Sequence, residues 1–393
     1  MKVGILLNNK EQALPINGMD LYRMIFPYYT LTADPDFELH LMSTDEFDMN
    51  PLTYDVYVMN RSRELFRAER VKKEGKKLIV DIDDYWILPS WHPINPKVLD
   101  KAIKAAESHA QKRKDTESIN NAKRIRNIEI NAPANIIQSM RIADHVTCSV
   151  PQLAERIKEY NPNVTVIKNT IPDKAHRYTT QKTRSKFLRF GWLGGTFHGR
   201  DVGIMFEGML KLHRDSAERG KYQFLSSFNL VREYIEIEKT FTCNYRFISK
   251  EYRELLTQYK PVAQHMGLHE PYRRIWSVPV EEYGSLYEEV DVSIIPLQHG
   301  TFNSMKSELK LVEAGATGCA AIVSDVMPYK PYLKHGVNCL KTSGTNGWYT
   351  AFKMMLNNPN LVADLREGLR ETVRTEFDNE TEANKLKQIL KAL

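Results

Sequence analysis

The sequence predicts an α/β protein made of two Rossmann-like halves, and three observations carry that expectation. Asp291 to Asp325 passes through an apolar strand, a polar loop, a charged helix and a second apolar strand at the spacing of one βαβ unit. Short apolar runs recur along both halves, separated by helical or loop stretches. The 393 residues, 42% of them hydrophobic, supply enough apolar surface for two cores.

In the first half, Lys2 to Asn8, Phe37 to Ser43, Tyr54 to Asn60, Lys77 to Asp81, His145 to Val150 and Val164 to Lys168 read as strands. In the second half, strands are expected at Phe187 to Leu193, Tyr222 to Ser227, Arg274 to Val278, Asp291 to Leu297, Ala320 to Ser324 and Val337 to Lys341. Asn169 to Ser185, rich in proline, threonine and basic residues, reads as the linker. The expected domains are 1–170, carrying a helical insertion at 96–140, and 186–365, followed by helix alone over 366–393.

The insertion is the chain's charge anomaly. Lys97 to Arg126 holds nine basic and four acidic residues, an excess of five against a whole-chain net charge of +6. Such concentration suggests an anionic partner, DNA, a lipid headgroup or a phosphorylated glycan carrier, with Lys112, Arg113 and Lys114 at its centre. A basic helix that merely covers the sheet fits equally well, because the stretch lacks aromatic residues for base stacking. No apolar run approaches bilayer length and the amino terminus enters a strand directly, so a cytoplasmic protein without a transmembrane segment is expected. Cys148, Cys243, Cys319 and Cys339 lack metal-ligand spacing and read as reduced structural residues.

Between the strands of the 291–325 unit, Asn303, Lys306, Lys310 and Glu313 fall at three- and four-residue steps and so share one face of a continuous helix. Amides at the helix start and two lysines suit a phosphate, and a carboxylate two turns on suits sugar hydroxyls. A solvated helix face with ordinary charge pairs is the plain alternative. Gly194-Gly195-Thr196-Phe197-His198 follows a strand and precedes a helix, as phosphate-cradling loops do, although a tight turn has the same composition. Asn17-Gly18 enters a helix after the first strand, again either a ligand turn or a plain one. Asp81-Ile82-Asp83-Asp84 ends a strand just before Tyr85-Trp86. Paired acids there could bind a metal diphosphate, hydrogen-bond an acceptor or act as base.

The 291–325 segment resembles the nucleotide-sugar-binding unit of GT-B glycosyltransferases, particularly the family-4-like retaining enzymes and a divergent branch found with bacterial surface polysaccharides and phages. In that family a Glu-x7-Glu motif spans the loop and helix. Glu313 matches its second glutamate, whereas Met305 stands at the first, which leaves sugar identity and stereochemistry open. The resemblance implies two Rossmann-like domains facing across a cleft, with the last helix crossing back to the first. It implies transfer of a sugar from a nucleotide-diphosphate donor to a hydroxyl acceptor, with no obligatory metal or other cofactor. Gly18, Gly194, Gly195, Thr196, His198, Asn303, Ser307 and Glu313 would face the donor, Val278 and Tyr283 its base. Lys306 and Lys310 would stabilise the leaving diphosphate, while Asp83 and Asp84 serve as base and Trp86 with the basic insertion meets the acceptor, a glycan or hydroxymethyl-pyrimidine in DNA. The metal-binding GT-A reading of the aspartates would leave the second sheet unexplained. Two other classes share the donor fold. A nucleotide-sugar epimerase would turn over donor without acceptor, and a silent sensor would bind donor and release no nucleotide.

Overall fold

The computed structural model describes residues 1–8, 17–61, 64–110, 116–173, 175, 177–195, 198–218, 220–227, 272–275 and 278–393. The chain forms two compact units. Unit 1 comprises Met1–Pro172, Gly300–Ser307 and Asp378–Leu393, and unit 2 comprises Asp173–His299 and Glu308–Phe377.

Unit 1 is built on strands β1 (Lys2–Leu6), β2 (Glu38–Met42), β3 (Val56–Asn60), β4 (Lys77–Ile82), β5 (His145–Cys148) and β6 (Val164–Val166). They lie in the order β2-β1-β3-β4-β5-β6, every pairing parallel. Parallel strands are covered on both faces, which is why β3 is buried at every position and its sequence is an unbroken run rather than an alternation. Helices α1 (Phe26–Tyr29), α2 (Thr44–Met49), α3 (Leu65–Lys73), α4 (Pro96–Ala110), α5 (Thr116–Ile142) and α6 (Pro151–Ile157) follow among the strands. On one face Ala68 and Val71 of α3 and Ala132, Ile136 and Met140 of α5 pack on Tyr57, Met59, Leu78, Val80 and Val146.

Unit 2 carries β7 (Leu188–Leu193), β8 (Tyr222–Ser227), β9 (Tyr272–Ile275), β10 (Val292–Ile295), β11 (Ala320–Ser324) and β12 (Leu340–Thr342), in the order β12-β11-β10-β7-β8-β9 and again parallel. Among the described residues its helices are α7 (Gly199–Arg214), α9 (Leu309–Ala316), α10 (Gly344–Asn357) and α11 (Pro359–Glu376), while the single turn α8 (Thr301–Ser304) belongs to unit 1. Phe190, Phe224 and Phe352 meet edge-on or tilted at 5.1–5.5 Å in its core, beside the fully buried Trp348.

The last helix, α12 (Asn379–Ala392), belongs to unit 1, as the resemblance implied for the chain's end. Ala383, Leu386, Ile389 and Leu390 pack with Val3, Ile5, Val56 and Val58. Asn379 fixes its start, donating to Phe26 O at 3.1 Å and Thr170 Oγ1 at 2.7 Å and accepting from Thr30 Oγ1 at 2.8 Å.

Three expectations need correction. The helix carrying Asn303 to Glu313 is not continuous: α8 ends at Ser304 and α9 begins at Leu309. The strand expected at Arg274 to Val278 runs from Tyr272 to Ile275, and the one at Val337 to Lys341 runs from Leu340 to Thr342. Gly336, at φ 75°, makes a turn that leaves Val337 58% exposed.

A fully buried ion pair joins Arg23 and Asp81 in unit 1. Arg23, on the π-helical turn Asp20–Ile25, donates to both oxygens of Asp81 at 2.6 and 3.0 Å and to Ile167 O and Asn169 Oδ1 at 2.6 and 2.9 Å. Thr147 Oγ1 and Asn60 Nδ2 complete the shell of Asp81 at 2.7 and 2.9 Å. Each ionic side chain is 2% exposed, so removing one strands the other. Arg23→Met is expected to cost about 3–5 kcal/mol, read as a shift in the urea midpoint, and adding Asp81→Asn should restore part of it. A loss below about 1 kcal/mol for the single variant would show that the pair does not hold the first sheet to its crossover segment.

Candidate functional site

Both sheets reverse strand order once, between β1 and β3 in unit 1 and between β7 and β10 in unit 2. In open parallel sheets such switch points open a crevice at the carboxyl ends of the strands, where ligands bind.

At the first switch point lies a cavity of about 460 Å³ whose lining includes Leu6 at the end of β1 and Asn8 after it, and Met59 and Asn60 at the end of β3 and Arg61 after it. Asn8 is fixed by Asp20, whose carboxylate accepts from its backbone N at 3.1 and 3.2 Å and its Nδ2 at 3.0 Å and from Asn17 Nδ2 at 2.8 Å. Burial raises the Asp20 carboxyl above the ordinary range despite those donors. Gly18 sits in the same helix start, after Asn17. Arg61 holds a left-handed backbone at φ 36°, a strained conformation for a side-chain-bearing residue. It grips Asp83 through Nε and Nη2 and reaches Asp84 Oδ2 at 3.1 Å.

The aspartates anticipated as bases are therefore unequal. Asp81 belongs to the buried Arg23 pair. Burial alone would raise the Asp83 carboxyl, but Arg61 and Asn60 hold it below the ordinary carboxylate range, which makes it a poor proton acceptor. Asp84 is the more accessible, at 34% side-chain exposure against 16% for Asp83. Trp86 is 5% exposed and packs on Tyr85 and Tyr160 at 5.1 and 5.9 Å, so it is a core residue rather than the surface aromatic expected for acceptor contact. Lys112, Arg113 and Lys114 lie outside the described residues.

Because its folded pKa lies below its unfolded one, Asp83 contributes stability above about pH 4 that is lost as pH falls through the folded value. Asp83→Asn should cost roughly 2 kcal/mol at neutral pH and flatten the acid limb of stability against pH. Parallel acid limbs in wild type and variant would refute that role for Arg61.

At the second switch point, the loop after β7 carries Gly194 and Gly195. A Cβ on Gly195 would meet nothing within 4 Å, which leaves its backbone approachable, whereas one on Gly194 would strike the Trp192 ring at 2.5 Å. Thr196 lies outside the described residues. His198 Nδ1 is 2.9 Å from Asp201 Oδ2, and Asp201, 3% exposed at the start of α7, also accepts from Gln298 N at 2.9 Å. One buried carboxylate thus ties the β7 loop to the β10 loop.

Val278 and Pro279 lead into the 3₁₀ turns Val280–Glu289, which present Tyr283 and Tyr287 to α9. Glu313 Oε2 accepts from Tyr287 Oη at 2.8 Å and from Lys310 Nζ at 2.9 Å, and Lys310 Nζ lies 3.0 Å from Tyr283 Oη. Against burial, which favours neutral lysine, Glu313 and Tyr283 raise the Lys310 pKa. Burial pushes the Tyr283 phenol up to about 12. The cluster is a neutralised ion pair sealed by two rings.

Asn303 lies in α8, Lys306 in the break after it, and Lys310 and Glu313 in α9, so the four do not share one continuous helix. Asn303 is buried in α8, and Ser307 is half-buried in the break between α8 and α9. Lys306 stands over the Phe302 ring at 5.2 Å, with no carboxylate in ion-pair reach among the described residues. Met305, at the place of the family's first glutamate, is 4% exposed within the unit 1 core. Among the described residues no three His, Cys, Asp or Glu side chains are grouped to hold a metal ion. Arg61 escaped sequence reading because its partners are distant in the chain, whereas the Asn17–Asp20 and His198–Asp201 spacings each carried a local signal.

The two lysines differ testably. Lys310→Met strands the buried Glu313 and should cost about 3 kcal/mol, while Lys306→Ala should stay within roughly 0.5 kcal/mol of wild type. Thermal unfolding of both variants decides it, and equal losses would contradict the pairing.

No family model and no curated protein sequence matches the chain. Among solved structures, sucrose-phosphate synthase from Thermosynechococcus elongatus is 13% identical, with TM-score 0.60 over 100% of this chain and 99% of that one. Anabaena HepE in complex with UDP and glucose is 13% identical with TM-score 0.57, covering 100% of both chains. A UDP-forming α,α-trehalose-phosphate synthase from Burkholderia xenovorans is 10% identical with TM-score 0.52, over 86% of this chain and 74% of that one. Two parallel-sheet α/β domains and these whole-length likenesses give the chain the GT-B glycosyltransferase fold.

Proposed function

We propose that the protein transfers a sugar from a nucleotide-diphosphate donor to a hydroxyl acceptor. The observation that carries this reading is the second switch point, where an approachable glycine loop, the start of a 16-residue helix and the His198–Asp201 pair stand together at the carboxyl ends of β7 and β10. Support comes from HepE, solved with UDP-glucose in the same fold. In this reading the Gly194 and Gly195 backbone and the amides opening α7 take the diphosphate. His198, oriented by Asp201, offers a hydrogen bond, and the Val278–Val280 backbone meets the base. Lys306 supplies charge against the leaving diphosphate, a role that Lys310 fills less well because it already serves Glu313. Lys310 and Tyr287 hold the Glu313 carboxylate, 1% exposed, as a buried anchor of α9. Retention of anomeric configuration is part of the proposal, with phosphate-assisted front-face displacement and no obligatory metal.

For the acceptor we favour a surface or lipid-linked glycan hydroxyl over DNA. Lys123 pairs with Glu107 at 2.5 Å and Arg126 pairs with Asp100, so part of the basic charge of α4 and α5 is spent within the insertion. An epimerase or a silent sensor remains distinguishable by turnover without acceptor or by the absence of released nucleotide.

Calorimetric titration with UDP, ADP and GDP, alone and as sugar conjugates, tests the donor. One of them should bind, and Lys306→Ala should weaken it by about 1.5–3 kcal/mol. Mass spectrometry with glycan and hydroxymethylated-DNA acceptors should then show a hexosyl or pentosyl adduct that persists in excess EDTA. Failure of every nucleotide diphosphate to bind removes the proposal. Collapse of turnover in EDTA, with rescue by Mn2+, would transfer the diphosphate role to a metal.

A further inference from the structure

A groove of about 750 Å³ runs between α3 and α5 in unit 1. Phe66 lines it from α3, and Asn120, Asn127, Asn131 and Asn135 line it from α5. Steps of seven, four and four residues put these asparagines on one face of the helix. At about 1.5 Å per residue they cover roughly 22 Å of its axis. The lining is open to solvent: Asn120, Asn127 and Asn131 are exposed and Asn135 is half-buried. Phe66 is 52% exposed even with the Arg67 guanidinium 4.7 Å from its ring centre. Glu64 and Ile128 line both this groove and the cavity at the first switch point, so the two adjoin.

Asparagine suits a water-facing helix surface poorly, because its short amide competes with the backbone for hydrogen bonds; glutamine, glutamate or lysine would favour the helix more. A row of amides does offer donors and acceptors side by side. Asn131 Nδ2 donates to Asn127 O at 3.1 Å, which leaves its Oδ1 to accept. Most of the charge at the groove is spent. Lys123 pairs with Glu107 and Glu64 with Arg67, and among the described residues Arg124 has no carboxylate in ion-pair reach. A nucleic-acid strand calls for several unpaired cations and several stacking rings, whereas these residues supply one of each. A helix docked from another protein calls for a continuous apolar strip, which the amides interrupt. A neutral sugar chain fits both features. Its hydroxyls donate and accept as amides do, and its C–H face packs on an aromatic ring.

We propose that the α3–α5 groove binds an extended, neutral oligosaccharide, with sugar hydroxyls on the asparagine row and one sugar against Phe66. The acceptor of the transfer is then a glycan chain several sugars long, a role that rests on the function proposed above, whereas the binding itself does not. Ligand-observed NMR titration of the full chain, without any donor, tests it with malto-, xylo- and chito-oligosaccharides of one to six sugars. In at least one series affinity should rise about tenfold or more from two sugars to six. Phe66→Ala and the double variant Asn127→Ala/Asn131→Ala should each abolish that rise at an unchanged melting temperature, and if one fails to fold the other decides. No binding in any series, or binding that does not grow with chain length, overturns the proposal. A rise that survives in both variants overturns the placement in this groove. Tighter binding of oligothymidylate, lost in the same variants, overturns it in favour of a nucleic-acid strand. Length-dependent glycan binding by a chain that binds no nucleotide diphosphate would keep the groove and remove the transfer, and nucleotide binding without glycan binding would do the reverse.

Discussion

Two wholly parallel sheets impose one constraint on everything else in this chain. A parallel neighbour can be reached only by a crossover over a sheet face, so helices cover both faces and every strand delivers its carboxyl end to a single edge. Polar side chains cannot be placed along strands such as β3, buried at all five positions, without partners. They collect at the ends instead: Asn60 closing β3 and Arg61 after it, Asp81 to Asp84 on and after β4, Gln298 after β10. The order reversals at β1/β3 and β7/β10 then decide which of those ends open on a crevice.

In β4 a charged group enters the sheet with a complete shell around it. Asp81 lies within β4 and is tolerated because Arg23, Thr147 and Asn60 satisfy it. The neighbouring Asp83 is one step further out and is gripped by Arg61, whose strained backbone is itself fixed by its N–H to Asp81 O at 2.8 Å. The Asp-x-Asp-Asp run thus consists of one structural acid, one clamped acid and one more exposed acid. Sequence spacing could not separate these roles, because all three differ only in partners that lie at least 20 residues away.

The sheets were legible because strands buried on both faces write themselves as short apolar runs, and ten of the expected strands overlap the observed ones to within about two residues at each end. The exceptions follow from local chemistry. Val337 is apolar but follows a left-handed glycine, so it turns outward instead of starting β12. The break between α8 and α9 carries no glycine or proline, and helical spacing read straight through it. Met305 explains what the pattern missed: its side chain is drawn into the unit 1 core, and Glu308, 2% exposed, starts the next helix afresh. Tertiary burial here overrides a periodicity that any local reading accepts.

That break also separates the electrostatic work of the two lysines. Lys310 sits against Glu313 at 2.9 Å, so the pair presents little net charge, and developing negative charge nearby would gain mainly from reorienting an ion pair that two tyrosines hold in place. Among the described residues Lys306 has the Phe302 ring beneath it and no carboxylate in ion-pair reach, which favours the cation without neutralising it. A fixed cation that no carboxylate has claimed can stabilise charge as it develops, with no internal bond to break first. Had the helix been continuous, Lys306 and Lys310 would have been one turn apart on one face. Interrupting it leaves one lysine to hold the glutamate and the other with its charge unspent.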